Sequence, residues 1–183
     1  MKHVYIIAEI GCNHCGDPNL AKRMVDEAKA CGVDAVKFQT FKASELISKY
    51  APKADYQKLT TGEEENQLEM TRKLELPYDE FIKLRDYAIC LGLDTFSTPF
   101  DMDSIEFLEN SGQKVWKIPS GEVTNLPFLE RIAKFKIDGK KIILSTGMCT
   151  IEEIHQAVDI ICKYEDSKNL VILHCNTEYP TPD

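Results

Sequence analysis

A chain of 183 residues suffices for one ordinary domain, and a hydrophobic content of 43% is enough to fill a single core. The net charge of −8, with no basic stripe along the chain, excludes a nucleic-acid or anionic-membrane surface, so any anionic ligand must be held by local groups. No run approaches the roughly 18 apolar residues of a membrane span, and the amino terminus has neither the basic segment nor the cleavage site of a signal peptide. With an odd, scattered set of seven cysteines, this predicts reduced, mostly buried thiols and a cytoplasmic protein.

In chain order, short β-rich runs alternate with amphipathic helical stretches, an α/β pattern. The predicted strands are Val4 to Ile10, Ala35 to Thr40, Asp94 to Thr98, Val115 to Ile118, Lys141 to Ser145 and Leu170 to His174. Each is a mostly apolar run too short for a helix, as expected of parallel strands buried on both faces. Asp17 and Pro18 open the first helix, whose apolar stripe of Leu20, Met24, Ala28 and Cys31 ends at Gly32. Pro77 opens another through Phe81, Leu84, Ala88 and Leu91, ending at Gly92. Thr150, followed by Glu152 and Glu153, caps a helix with Ile154, Val158 and Ile161 inward. Between the second and third strands, Phe41 to Leu76 is polar and includes Thr60, Thr61 and Gly62, which predicts an excursion above the sheet. The segment Gly11-Cys12-Asn13-His14-Cys15-Gly16 after the first strand is not a Gly-rich phosphate loop. A TIM-type (β/α)8 barrel, truncated after about six β/α units, is therefore the expected fold rather than a doubly wound sheet.

Nearly every predicted strand ends in polar or ionisable residues, and in such a barrel these ends build the active site. They are Glu9 with Asn13 and His14, Lys37 with Gln39, Ser97 with Thr98, Lys117 with Ser120 and Glu122, Ser145 with Thr146, and His174 with Asn176 and Thr177. Lys37 and Lys117 stand in apolar strands, where a bound anion or a carboxylate such as Glu9 or Glu122 must compensate the ammonium. Serine and threonine hydroxyls beside them suit the remaining oxygens of a phosphate. Glu9 and Glu122 are the candidate proton-transfer groups, with salt-bridge partners as the alternative. Cys12 and Cys15 have C-x-x-C spacing, but no second pair exists to complete a zinc site and the context is wrong for a redox motif. His14 is read as ordering the loop or touching substrate, and His174 as either a site residue or a core histidine. Phe38, Phe96 and Trp116 are read as packing.

Six segments together resemble the catalytic barrel of the sialic acid synthases, including N-acetylneuraminate and legionaminate synthases. They are Ala8-Glu9-Ile10-Gly11 with Asn13-His14, Val36 to Thr40, Ser97 to Phe100, Lys117 to Glu122, Leu144 to Met148, and His174 to Pro182. The resemblance implies that residues 1–183 are the N-terminal portion of a phosphoenolpyruvate-dependent synthase barrel. Phosphoenolpyruvate would condense with an N-acylated mannosamine-type aldose to give a nine-carbon 2-keto sugar acid and phosphate. It implies phosphoenolpyruvate binding by Lys37, Thr98, Lys117, Ser120, Ser145, Asn176 and Thr177. Sugar contacts are implied for Glu9, Gln39 and Tyr179, and proton transfer for Glu122. It further implies a divalent metal, Mn2+ or Mg2+, whose ligands lie beyond Asp183 together with the last barrel units and an antifreeze-like domain, and a homodimer in the full-length form. Pro119 before Ser120 and the loop Ala51 to Gln57 lean towards a legionaminate-type sugar. Two rival readings are a Schiff-base aldolase using Lys117 and a non-catalytic barrel fragment.

Overall fold

Two parallel ladders of three strands organise the chain in a computed structural model that describes residues 3–52 and 66–177. Thr60, Thr61, Gly62 and Tyr179 lie outside the described residues. The chain divides into two compact units, Met1–Phe107 and Leu108–Asp183.

In the first unit, β1 (Ile7–Gly11), β2 (Ala35–Thr40) and β3 (Asp94–Pro99) pair in that order, all parallel. Helix α1 (Pro18–Ala30) joins β1 to β2, and α2 (Ala43–Leu46), α3 (Gln67–Arg72) and α4 (Tyr78–Cys90) lie between β2 and β3. The register sets Glu9 beside Lys37 and Gln39 beside Thr98. Side chains alternate across the sheet. Phe38 meets Phe81 of α4 edge to face at 5.7 Å, and Thr40 shares a 2.6 Å hydrogen bond with Ser97. Lys37 and Gln39 take the opposite face.

Several expected boundaries shift. The first strand begins at Ile7, because Val4, Tyr5 and Ile6 are exposed and the Ile6 N–H donates to the Asp34 carboxylate, not to a ladder partner. The buried stripe of α1 is Ala21, Val25 and Ala28. Small residues let this helix approach β1 closely, while Leu20 and Met24 are half-buried along a 480 Å³ groove and Cys31 is exposed. The excursion between β2 and β3 carries α2 and α3, the latter opened by a reciprocal cap between Asn66 and Glu69. Ser97 is enclosed with Thr40 and does not join Thr98 at a strand end. The other starts match local chemistry: the Asp17 carboxylate accepts the Asn19 N–H, and Thr150 and Glu153 cap each other.

α5 (Met102–Asn110) runs across the boundary between the units. In the second unit, β4 (Val115–Ile118), β5 (Lys141–Ser145) and β6 (Leu170–Leu173) form the other parallel ladder, with α6 (Leu126–Ala133) and α7 (Ile151–Cys162) as crossovers; β6 departs from the expected burial, with Val171, Ile172 and Leu173 exposed. Trp116 is fully buried against Phe135, and Phe38 and Phe96 are equally enclosed in the first unit, so all three aromatics serve packing.

Lys140, which the residue pattern does not single out, is 2% exposed. Its Nζ donates to the carbonyls of Ile132, Ala133 and Phe135 at 3.3, 2.9 and 2.7 Å and lies 2.8 Å from Glu165 Oε2. The ammonium thus satisfies carbonyls that the end of α6 leaves open and ties them to the segment before β6. Burial raises the Glu165 pKa, but hydrogen bonds from Lys140 and Asn169 outweigh it and hold the carboxyl below its ordinary value.

Replacing Lys140 with methionine strands Glu165 and the helix carbonyls, and is expected to cost about 3–5 kcal/mol in urea unfolding. Because the folded state depresses the Glu165 pKa, its contribution is fully present above the unfolded-state value of about 4.3 and fades as pH falls through the folded one. Urea midpoints measured from neutral to acid pH should therefore fall less steeply for Glu165→Gln than for the parent.

Candidate functional site

Each unit places a polar cluster at the C-terminal ends of its strands. In the first, Lys37 is 8% exposed, its Nζ 2.5 Å from Glu9 Oε2 and donating to Thr98 Oγ1 at 3.1 Å. The Glu9 side chain is 48% exposed, so the ion pair opens to solvent on the carboxylate side. The ammonium is held by the strand walls while its counter-ion reaches solvent. This arrangement can meet an anion without first desolvating a flexible lysine.

Gly11 determines how tightly this group assembles, a role that residue typing misses because glycine carries no functional group. It has φ +53°, and a β-carbon there would sit 2.8 Å from Glu9 Oε1 and 3.4 Å from Gln39 Nε2. The ladder register also breaks between Glu9 and Gly11. Its only legible sign is its place at the end of a strand.

His14 is buried, and it resolves the two readings of the turn in favour of loop order. Its Nδ1 accepts the Gly16 N–H at 3.0 Å, and its other side bonds to the Gly11 backbone. Burial pushes its pKa down, favouring the neutral imidazole such bonding requires. All seven cysteines are free thiols, but the expected burial is not found: Cys15, Cys31, Cys90 and Cys162 are exposed and Cys12, Cys149 and Cys175 half-buried, with Cys12 pushed up by partial burial. Among the described residues no three His, Cys, Asp or Glu side chains gather in a way that could hold a metal ion.

In the second unit, Lys117 Nζ donates to the Ile118 carbonyl at 2.9 Å. Ser120 begins a 3₁₀ turn, Ser120–Glu122, and its Oγ accepts the Gly147 N–H at 2.9 Å. Ser145 is buried at the end of β5, and Thr146 Oγ1 donates to the Leu173 carbonyl at 2.9 Å. Asn176 and Thr177 line a 760 Å³ cavity with Met148, His174 and Cys175. His174 is exposed there, so the core reading of this residue is set aside. Gly147 is a point of close approach in this unit: a β-carbon would lie 2.9 Å from both the Cys175 carbonyl oxygen and Thr177 Cγ2. Next to it, Met148 has φ +57°, uncommon for a residue with a side chain. Glu122 Oε2 accepts a 2.7 Å bond from Asn125 Nδ2, which places this candidate proton carrier beside the N-cap of α6.

The architecture and clusters define a class: a parallel α/β protein with cationic and hydroxyl groups at its strand ends. The NeuB family model matches residues 24–183, and the chain belongs to that family. It is 49% identical over all 183 residues to N,N'-diacetyllegionaminic acid synthase of Campylobacter jejuni, covering 54% of that protein. It is 35% identical over 178 residues to human N-acetylneuraminate-9-phosphate synthase, covering 96% of this chain and 47% of that one. Among solved structures, N-acetylneuraminic acid synthetase from Leptospira borgpetersenii in complex with citrate aligns with a TM-score of 0.81 at 32% identity, over 100% of this chain and 57% of that one. The chain spans about half the length of the curated relatives it matches.

At Gly11, alanine takes an unfavourable φ and pushes aside the Glu9 carboxylate tip. Gly11→Ala is expected to lose more than about 1 kcal/mol in denaturant unfolding, and Gly11→Asn, which tolerates this φ better but keeps the β-carbon, to recover only part of it.

Proposed function

We propose that these residues belong to an enzyme that condenses phosphoenolpyruvate with an N-acylated mannosamine-type aldose, giving a nine-carbon 2-keto sugar acid and phosphate. The observation that carries this reading is the buried Lys37 ammonium, fixed by Thr98 and paired with a half-exposed carboxylate. Phosphoenolpyruvate is a compact polyanion, and a pre-positioned ammonium and hydroxyl suit one of its anionic groups. Names of the relatives support the product class, since they include legionaminic, neuraminic and pseudaminic acid synthases. The citrate named for the Leptospira enzyme is likewise a small polyanion.

In this proposal Lys37 and Thr98, and separately Lys117, Ser120, Ser145, Asn176 and Thr177, bind phosphoenolpyruvate. Glu9, Gln39 and Tyr179 contact the sugar. C3 of the enol phosphate bonds to the aldehyde carbon, whose oxygen takes a proton, with Glu122 the proposed carrier. Water adds at C2, and the C–O bond to phosphate breaks. The six strands are proposed to belong to a (β/α)8 barrel of which residues 1–183 form the N-terminal portion, in a cytoplasmic homodimer. A divalent metal, Mn2+ or Mg2+, is proposed for the longer protein, where it would act as a Lewis acid towards the aldehyde. The described residues do not assemble a donor set for it, so no step is assigned through them. The greater identity to legionaminic than to neuraminic synthases favours a 2,4-diacetamido-6-deoxy sugar.

Phosphate release by the full-length protein, with N-acetylmannosamine against its 2,4-diacetamido-6-deoxy counterpart, tests the reading. The second sugar should give the faster release, and stimulation by neither would sink the proposal. Lys37→Met should weaken phosphoenolpyruvate binding in calorimetry about ten- to a hundredfold, the equivalent of about 1.5–3 kcal/mol for a hydrogen bond to a charged group. Unchanged affinity would remove Lys37 from the site. Borohydride trapping with pyruvate should leave Lys117 unlabelled, whereas a Schiff-base aldolase would label it.

A further inference from the structure

Two thiols in the second unit flank a single serine. Cys149 Sγ lies 3.7 Å from the Ser120 carbonyl oxygen and donates to the Gly147 carbonyl at 3.3 Å. Cys175 Sγ lies 3.9 Å from Ser120 Oγ. The backbones carrying them are in contact as well, because Gly147 packs so tightly on the Cys175 carbonyl that a β-carbon between them would be only 2.9 Å from its oxygen. Cys149 follows two residues after that contact, and Cys175 lines the 760 Å³ cavity, which gives a small reagent access.

We infer that Cys149 and Cys175 form an oxidisable dithiol, a modification site for hydroperoxides that cross-links the loop after β5 to the tail after β6. The two sulfurs have different environments. Burial raises the Cys175 pKa, but polar contacts from Ser145, Thr146, Gly147 and Ser120 outweigh it and hold the thiol below its ordinary value, with Sγ 3.4 Å from the Leu173 carbonyl oxygen. At Cys149, burial and the nearby Glu153 and Cys175 push the thiol up. Cys175 is therefore the attacking sulfur and Cys149 the resolving one.

In the first step the Cys175 thiolate attacks the peroxide oxygen, the O–O bond breaks, and sulfenic acid and hydroxide form. In the second, Cys149 sulfur attacks the sulfenic sulfur, the S–O bond breaks, and water leaves with the Cys149 proton. Two thiols lose two electrons and two protons, and hydrogen peroxide is reduced to two waters. The bond needs the paired α-carbons within about 7 Å, and the backbone contact of Gly147 with Cys175 leaves only the two-residue step to Cys149 to be closed. Once formed, it holds Ser120 and the Gly147 amide under a covalent strap. This inference goes beyond the proposed condensation and does not require it.

Hydrogen peroxide at low molar excess, followed by alkylation and peptide mass mapping of the intact protein, provides the test. Cys31, Cys90 and Cys162 are exposed single thiols and serve as internal references. A Cys149–Cys175 cross-linked peptide should accumulate several-fold faster than oxidation at those three. In Cys149→Ser, dimedone should trap sulfenic acid at Cys175, and in Cys175→Ser, Cys149 should stay reduced. Cys175 oxidising no faster than the references, or a disulfide joining other partners, overturns the inference. The parent comparison decides the matter even if a variant fails to fold.

Discussion

A parallel sheet covered on both faces admits polar side chains cheaply only where its strands end. All but one of the β2 residues are buried, and β5 is enclosed at Ile142, Leu144 and Ser145. An ammonium inside such a strand has to find compensation within a few ångströms. At Lys37 this comes from Glu9 on the neighbouring strand and Thr98 two strands from Glu9, so the register of all three strands is tied to one charge. A slip of one residue on any of them would turn the partner to the other face. Strand order, register and polar chemistry thus support the same arrangement.

Lys140 meets the same constraint differently. Its neighbours are main-chain carbonyls at a helix end as well as Glu165, and its role is to join α6 to the following segments. Two buried lysines in one chain therefore have opposite characters. Lys37 has a counter-ion whose side chain is half open to solvent. Lys140 is surrounded by fixed acceptors and is inaccessible to any ligand.

Much of this was legible in the sequence because each strand is a short apolar run bounded by turn residues. Five of the six predicted strands overlap their observed spans to within a residue at either end, and the exception is the exposed Val4-Tyr5-Ile6 lead-in to β1. Helix caps at Asp17 and Thr150 were readable from side chains that bond within three residues. The buried stripe of α1 was not, because Leu20 and Met24 outrank Ala21 and Val25 in hydrophobicity while the sheet selects the small residues for close approach. Lys140 resembles a surface residue until the carbonyls of α6 are placed around it. The pairing of Lys37 with Glu9 was one of two readings of an embedded lysine, and only the geometry adds that its carboxylate stays half open. Gly11 and Gly147 were unreadable as site residues, since what they contribute is space.

That space bears on any attempt to retune the protein. Substitution libraries usually saturate the chemically active positions and treat glycines as filler. Here the filler sets the tolerances: Gly11 limits how near Glu9 and Gln39 can stand, and Gly147 limits how near the chain at Cys175 can come to the loop after β5. A library that holds both fixed and varies Gln39 and Met148 samples new surfaces on an unchanged frame. One that randomises the glycines sets side chains against the Cys175 backbone at Gly147 and strains the backbone at Gly11.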